Sequence, residues 1–234
     1  MRSRWQAAAT AGACAIAVAA VGAQKSAARP WMDSFQVRPA DLATTGENPY
    51  FVLEPGYQLT LEGQDEGKAV RLVVTVLAQT KTVGGYNARV VEERETADGA
   101  LSEVSRNYFA IDRATGDIYY FGEDVDVYKD GKIVDHEGAW QHASNNAKFG
   151  LLLPGKPVVG LRYYQEMAPK VAMDRAEVVS LDERISTPAG TFEKCLKTEE
   201  TTPLESGREY KVYAPGVGLV QDGTLRLTAR VQAK

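Results

Sequence analysis

"AVRLVVTVLAQTKT", residues 69–82, followed by Val83-Gly84-Gly85 and then "YNARVVEERE", residues 86–95, decides the fold class. The first run is rich in valine, leucine and threonine, side chains that suit a pleated surface. Gly84-Gly85 supplies the positive-φ pair that a two-residue hairpin turn requires, and the second run returns through Val90 and Val91. The two runs read as an antiparallel hairpin. Working outward, the same syntax recurs. Asp98-Gly99 closes a turn before "LSEVSRNYFAI", "DRATGD" turns into "IYYFG", and Asp130-Gly131 makes another tight turn. Later strands are expected at 159–167, 176–187, 191–201, 208–214, 217–221 and 224–231. The expected fold is all-β with at most one short helix: an antiparallel meander forming a curved half-barrel, a barrel or a sandwich. Such a sheet must have its edges closed or covered.

Two stretches depart from this syntax. In "KVAMDRAEVVS", residues 170–180, Ala172, Ala176 and Val179 would also share one helical face. Residues 139–160 lack clean alternation and are expected to form a functional or covering loop.

The N-terminus reads differently. Arg2 and Arg4 precede "AAATAGACAIAVAAVGA", residues 7–23, an uncharged run of small apolar residues. This is the layout of a secretory signal peptide, cleaved after Ala23 or, alternatively, after Ala28. The run is short of the roughly 20 residues that a spanning helix needs, so no stable membrane insertion is expected. Residues 24–45 read as a flexible leader or surface arm, and 46–234 as a single β domain, a periplasmic or extracellular monomer.

The net charge of −4 becomes two units more negative once Arg2 and Arg4 are removed. With no basic stripe, nucleic acid is not an expected partner. Cys195 is the one cysteine left after cleavage, so no internal disulfide can form.

"NPYFVLEPG", residues 48–56, and "TPAGTFEKCLKTEETTPLESGREYKVYAPGVGLVQDG", residues 187–223, carry a resemblance. The stretch 46–223 resembles exported bacterial proteins of unknown function with a LolA/LolB-like curved sheet. The resemblance implies a fold and a compartment; a shared sheet does not transfer lipoprotein carriage.

The densest chemistry lies in "GEDVDVYKDGKIVDHEGAW", residues 122–140. As a calcium loop opening at Asp124 it fails, because Lys129 stands where glycine is required and Asp135 where glutamate is. As a strand it works: Asp124, Asp126 and Tyr128 share one face, and Val125 and Val127 the other. A cation site would draw on Asp124, Asp126, His136 and Glu137, with calcium the fitting ion; otherwise the stretch is a solvated hairpin. His136 and His142 are spaced unlike any zinc pair.

A carboxylate-dependent hydrolase would use Glu123, Asp124, Glu137 and Glu166, although so acidic a chain always offers such pairs. No nucleophile elbow or phosphate loop is present, and Cys195 reads as a core residue. The aromatic residues point elsewhere, to a pocket mouth lined by Tyr120, Trp140, Tyr164, Gln165 and Glu166. The favoured function is a non-catalytic binding or accessory protein of the bacterial envelope, acting on a small or amphipathic ligand or on another envelope protein, without a cofactor. The alternatives are the hydrolase and a calcium-stabilised structural protein.

Overall fold

The computed structural model describes residues 29–232. The expected signal peptide, both cleavage positions and the first part of the leader lie outside them. The opening hairpin is present: Val83 pairs with Tyr86, and Gly84 and Gly85 take φ of 55° and 89°. The same positive-φ pair recurs at Asp98-Gly99 and Asp130-Gly131, where the first residue is not glycine but aspartate, which tolerates this region.

In chain order the strands are β1 (Leu42–Ala43), β2 (Gly46–Asn48), β3 (Phe51–Leu53), β4 (Gln58–Asp65), β5 (Lys68–Val83), β6 (Tyr86–Ala97), β7 (Ala100–Asp112), β8 (Ile118–Lys129) and β9 (Lys132–Asp135). They continue as β10 (Trp140–Gln141), β11 (Lys148–Leu153), β12 (Arg162–Tyr164), β13 (Glu166–Met167), β14 (Arg175–Thr187), β15 (Gly190–Thr201), β16 (Glu209–Ala214), β17 (Gly218–Asp222) and β18 (Leu225–Val231). One sheet runs β12-β14-β15-β16-β17-β18-β4-β5-β6-β7-β8-β11-β13, every pair antiparallel. Its two ends, β12 and β13, are neighbours in the chain, separated by Gln165 alone. The sheet therefore returns to the segment from which it started. The result is a nearly closed barrel, and closure leaves few unpaired backbone edges.

Residues 175–187 form β14, matching the strand expected at 176–187, and the alternative helical face through Ala172, Ala176 and Val179 does not form, because pairing with β15 satisfies the backbone there. Among the described residues the one helical turn is a 3-10 turn at Pro39–Asp41. The stretch 139–160 contains β10 and β11 and is not one covering loop. In β11, Leu151, Leu152 and Leu153 are all buried, so the strand shows no alternation to read.

The chain before β1 lies along the convex face. Met32 forms a parallel bridge to Tyr163, and Phe35 packs on Tyr119 and Phe149 with centroids 6.0 and 6.3 Å apart. On the same face Tyr86 stacks on Phe121 at 4.6 Å, with His142 and Phe149 against them. Trp31 lies between the Arg162 and Arg175 guanidinium groups, 4.1 and 4.5 Å from its ring centre.

Candidate functional site

Register identifies the residues that share the concave face. Leu59 faces Val74, Val74 faces Glu93, Val76 faces Val91, Val91 faces Asn107, and Asn107 faces Glu123. Across the barrel, Tyr213 faces both Leu196 and Leu219, and Lys211 faces both Thr198 and Asp222. Directly opposed residues on antiparallel strands point the same way, so these two rows converge on one interior.

That interior is apolar at one side and polar at the other. The apolar side is a narrow recess of about 30 Å³, partly open to solvent, with Phe51, Leu59, Val76, Val91, Phe109 and Leu219 among its walls. Glu93, Tyr57 and Tyr213 also line it. The Tyr57 hydroxyl donates to the Val217 carbonyl at 2.8 Å. The Tyr213 hydroxyl, on a side chain 2% exposed, has no hydrogen-bond partner. Burial pushes the Glu93 carboxyl up to about 7, against the opposing attraction of Lys211 and with the help of Asp222 and Glu123.

The polar side holds more carboxylates than cations. The Lys211 ammonium, 1% exposed, is 3.1 Å from Glu200 and 3.8 Å from Asp222. Burial alone would lower its pKa, but Asp222 and Glu200 outweigh that and raise it, so Lys211 stays charged. Glu200 also accepts from Gln165 at 3.2 Å and from Thr198 at 3.3 Å. Further round, the Tyr120 hydroxyl donates to Asn107 Oδ1 at 2.6 Å. Burial, then the charges of Glu123, Glu166 and Glu93, hold the Tyr120 pKa well above its ordinary value. Glu166 accepts the Asp174 backbone N–H at 3.0 Å, and burial followed by the Asp174 charge raises its pKa strongly.

The five aromatic and polar residues expected to line a pocket mouth divide between the faces. Tyr120 and Trp140 meet edge to face at 5.1 Å inside, and the Trp140 indole N–H is buried without a partner. Gln165 and Glu166 are buried at the seam, each 3% exposed. Tyr164 lies against Trp31 on the convex side, 6.2 Å between centroids. Strand alternation explains that division, since Tyr163 takes the inward position.

The four acids considered for hydrolysis are also separated. Glu123 and Glu166 are interior, Asp124 points outward, and Glu137 lies in the exposed turn after β9. Asp124 accepts from Tyr108 and from Lys81 at 2.8 Å on one oxygen and from Gln141 at 2.9 Å on the other. Burial alone would raise its pKa, but these donors together hold it below the ordinary carboxylate value. Asp126 takes Arg106 at 3.0 Å and His136 Nδ1 at 3.1 Å. The acids offered to a cation are thus occupied by protein donors, and among the described residues no group of three or more His, Cys, Asp or Glu side chains is placed to hold a metal ion.

Glu93, Tyr213 and Lys211 were not singled out by the sequence. Glu93 sits in "VVEERE", where two adjacent glutamates and alternating charge read as a solvated strand. Lys211 and Tyr213 alternate with Val212 in "EYKVYA" as any half-exposed strand would.

Comparison with known proteins leaves the family open. No family model matches the chain, and no curated protein matches it. Among solved structures, a provisionally assigned lipoprotein from Parabacteroides distasonis ATCC 8503 is similar over 76% of this chain and 95% of its own. The identity is 14% and the TM-score 0.35, and at that level no property is carried across. Among the described residues no helix is long and apolar enough to cross a membrane.

Proposed function

We propose that this chain is an exported, non-catalytic binding protein of the bacterial envelope that takes an amphipathic small molecule into its barrel. The observation that carries this reading is the recess: an apolar concavity, partly open to solvent, with few polar groups and the unpaired Tyr213 hydroxyl on its wall. The N-terminal run of small apolar residues after two arginines supports export. The closed meander also fits the LolA/LolB-like curved sheet that the sequence resembles.

The test is native mass spectrometry of the mature protein from its own host, alongside titration with the neutral fluorophore N-phenyl-1-naphthylamine. A retained small molecule, or micromolar fluorophore binding weakened by Val76→Phe or Leu219→Phe, supports the reading. A bare chain that also leaves the fluorophore unbound refutes it.

A further inference from the structure

We propose that the rim of the barrel carries a second, polar site that binds a neutral sugar ring, with Arg208 and Gln221 contacting its hydroxyls. The site is a cleft of about 220 Å³, against about 30 Å³ for the recess, so it is the roomier of the two. It lies at one end of four neighbouring strands, where β16 and β18 begin and β17 and β4 end. The end of β4 contributes Asp65, the chain entering β16 contributes Arg208 and Glu209, and the end of β17 with its turn contributes Gln221 and Thr224. None of these residues lines the recess, so the proposal does not rest on the preceding reading.

The walls are held in place before any ligand arrives, which lowers the cost of binding. Gly223, in the β17–β18 turn, donates its N–H to the Tyr210 carbonyl at 3.1 Å. Its own carbonyl accepts from Gln221 Nε2 and from Arg226 Nη1, each at 3.0 Å. A Cβ at position 223 would come within 2.7 Å of Glu209 Oε1, so glycine keeps the space before that carboxylate clear. With the Gly223 backbone already paired, ligand contacts fall to side chains. Gln221 gives one N–H to Gly223 and keeps its second N–H and its carbonyl oxygen. Arg208 holds Glu199 through Nη1 at 3.1 Å, one nitrogen of a group with five N–H donors.

Charge decides the ligand class. Each charged group at the cleft already has a countercharge. Arg208 pairs with Glu199, Asp65 stands opposite Lys68 across the β4–β5 hairpin, and Glu209 acts on Lys211, which also lies 3.8 Å from Asp222. Arg226, behind the Gly223 carbonyl, stands opposite Glu62 of β4. The walls therefore carry no surplus of either sign. A phosphate or carboxylate would meet Asp65 and Glu209, and an ammonium would meet Arg208. A neutral ligand whose hydroxyls both donate and accept meets neither penalty. Carboxylates and the Gln221 carbonyl accept, while the guanidinium and the Gln221 N–H donate. Two adjacent hydroxyls of a sugar ring match the paired oxygens of a carboxylate or the paired N–H groups of a guanidinium.

The experiment is an amide NMR titration of the mature protein with glucose, galactose, mannose and N-acetylglucosamine, beside phosphate and putrescine as charged counterparts. At least one sugar should shift the Gly223 and Thr224 amide signals with a millimolar dissociation constant, and the two ions should need concentrations at least about tenfold higher. Thr224→Trp, at an exposed rim position, should block the cleft. Arg208→Ala should weaken the sugar about tenfold, the loss of one hydrogen bond to a charged group, and its side chain is 65% exposed, so the fold is not at risk. No shift from any of the sugars well above millimolar concentration, an affinity unchanged in either variant, or tighter binding of phosphate or putrescine would overturn the proposal. Binding of N-phenyl-1-naphthylamine, which reports on the recess, should be the same in wild type and both variants, so the two readings fail separately.

Discussion

Glu93→Gln should stabilise the protein at pH 8 and do almost nothing at pH 4.5. Glu93 ordinarily titrates at 4.5 when unfolded and at about 7 when folded, because burial disfavours its charge. Below 4.5 the group is protonated in both states and stability is unaffected. Between 4.5 and 7 the native state binds more protons, so stability falls as the pH rises, and the loss is complete above 7. At 1.36 kcal/mol per pH unit, a gap from 4.5 to about 7 is a penalty of about 3 kcal/mol. Glutamine keeps the shape and removes the charge, so the variant should recover up to about 3 kcal/mol at pH 8, reduced by the lost attraction to Lys211. For a domain of this size that is roughly 6–12 °C in melting temperature. The assay is urea unfolding of wild type and variant at intervals between pH 4.5 and 8.5. Glu166, whose pKa is also raised, gives the wild type a slope of the same sign, so the difference between the two curves isolates Glu93. A variant that is equally stable at both ends, or less stable at pH 8, would refute the reasoning.

Lys211→Met should destabilise by about 3–5 kcal/mol, since it leaves Glu200 buried without its cation, and adding Glu200→Gln should restore part of the loss in the same unfolding assay. Chelation with EDTA should leave the melting temperature unchanged, whereas Asp124→Ala should lower stability by about 1–3 kcal/mol, because Tyr108, Lys81 and Gln141 hold that carboxylate. Cys195, fully buried and with burial raising its thiol to about 11, should resist iodoacetamide at pH 8 in the folded protein and react rapidly in denaturant.

Strand existence was legible because it is encoded locally. Gly84-Gly85, Asp98-Gly99 and Asp130-Gly131 each fix a turn through residues that accept positive φ, and β14 to β18 begin and end within about a residue of the positions expected from alternation. β11 was missed because a strand buried on both faces loses its period-2 signature. Closure was not legible at all. It depends on Gln165 separating β12 from β13, so that one short segment pairs with β14 on one side and β11 on the other, and no local pattern announces a pairing between distant strands.

The candidate site was hidden for a more specific reason. Counting by twos along β8 places Tyr120 and Glu123 on opposite faces, since they are an odd number of residues apart. They nevertheless share the interior, because a bulge falls between them. Asn107 pairs with Glu123 and Phe109 with Tyr120, so Phe121 and Gly122 together stand opposite one residue of β7. Gly122 permits this with φ of 147°, and a Cβ there would come within 2.5 Å of the Trp140 carbonyl oxygen. The bulge thus turns Glu123 inward with Tyr120 and leaves Asp124 outward with Lys81 and Tyr108. The acidic stretch that looked like one cluster is two. Its outer half is an ion-paired surface, and its inner half adds to the negative field around Glu93. Glycine at position 122 is what separates them, and a residue with a side chain there would have to displace β10 before the strand could keep that register.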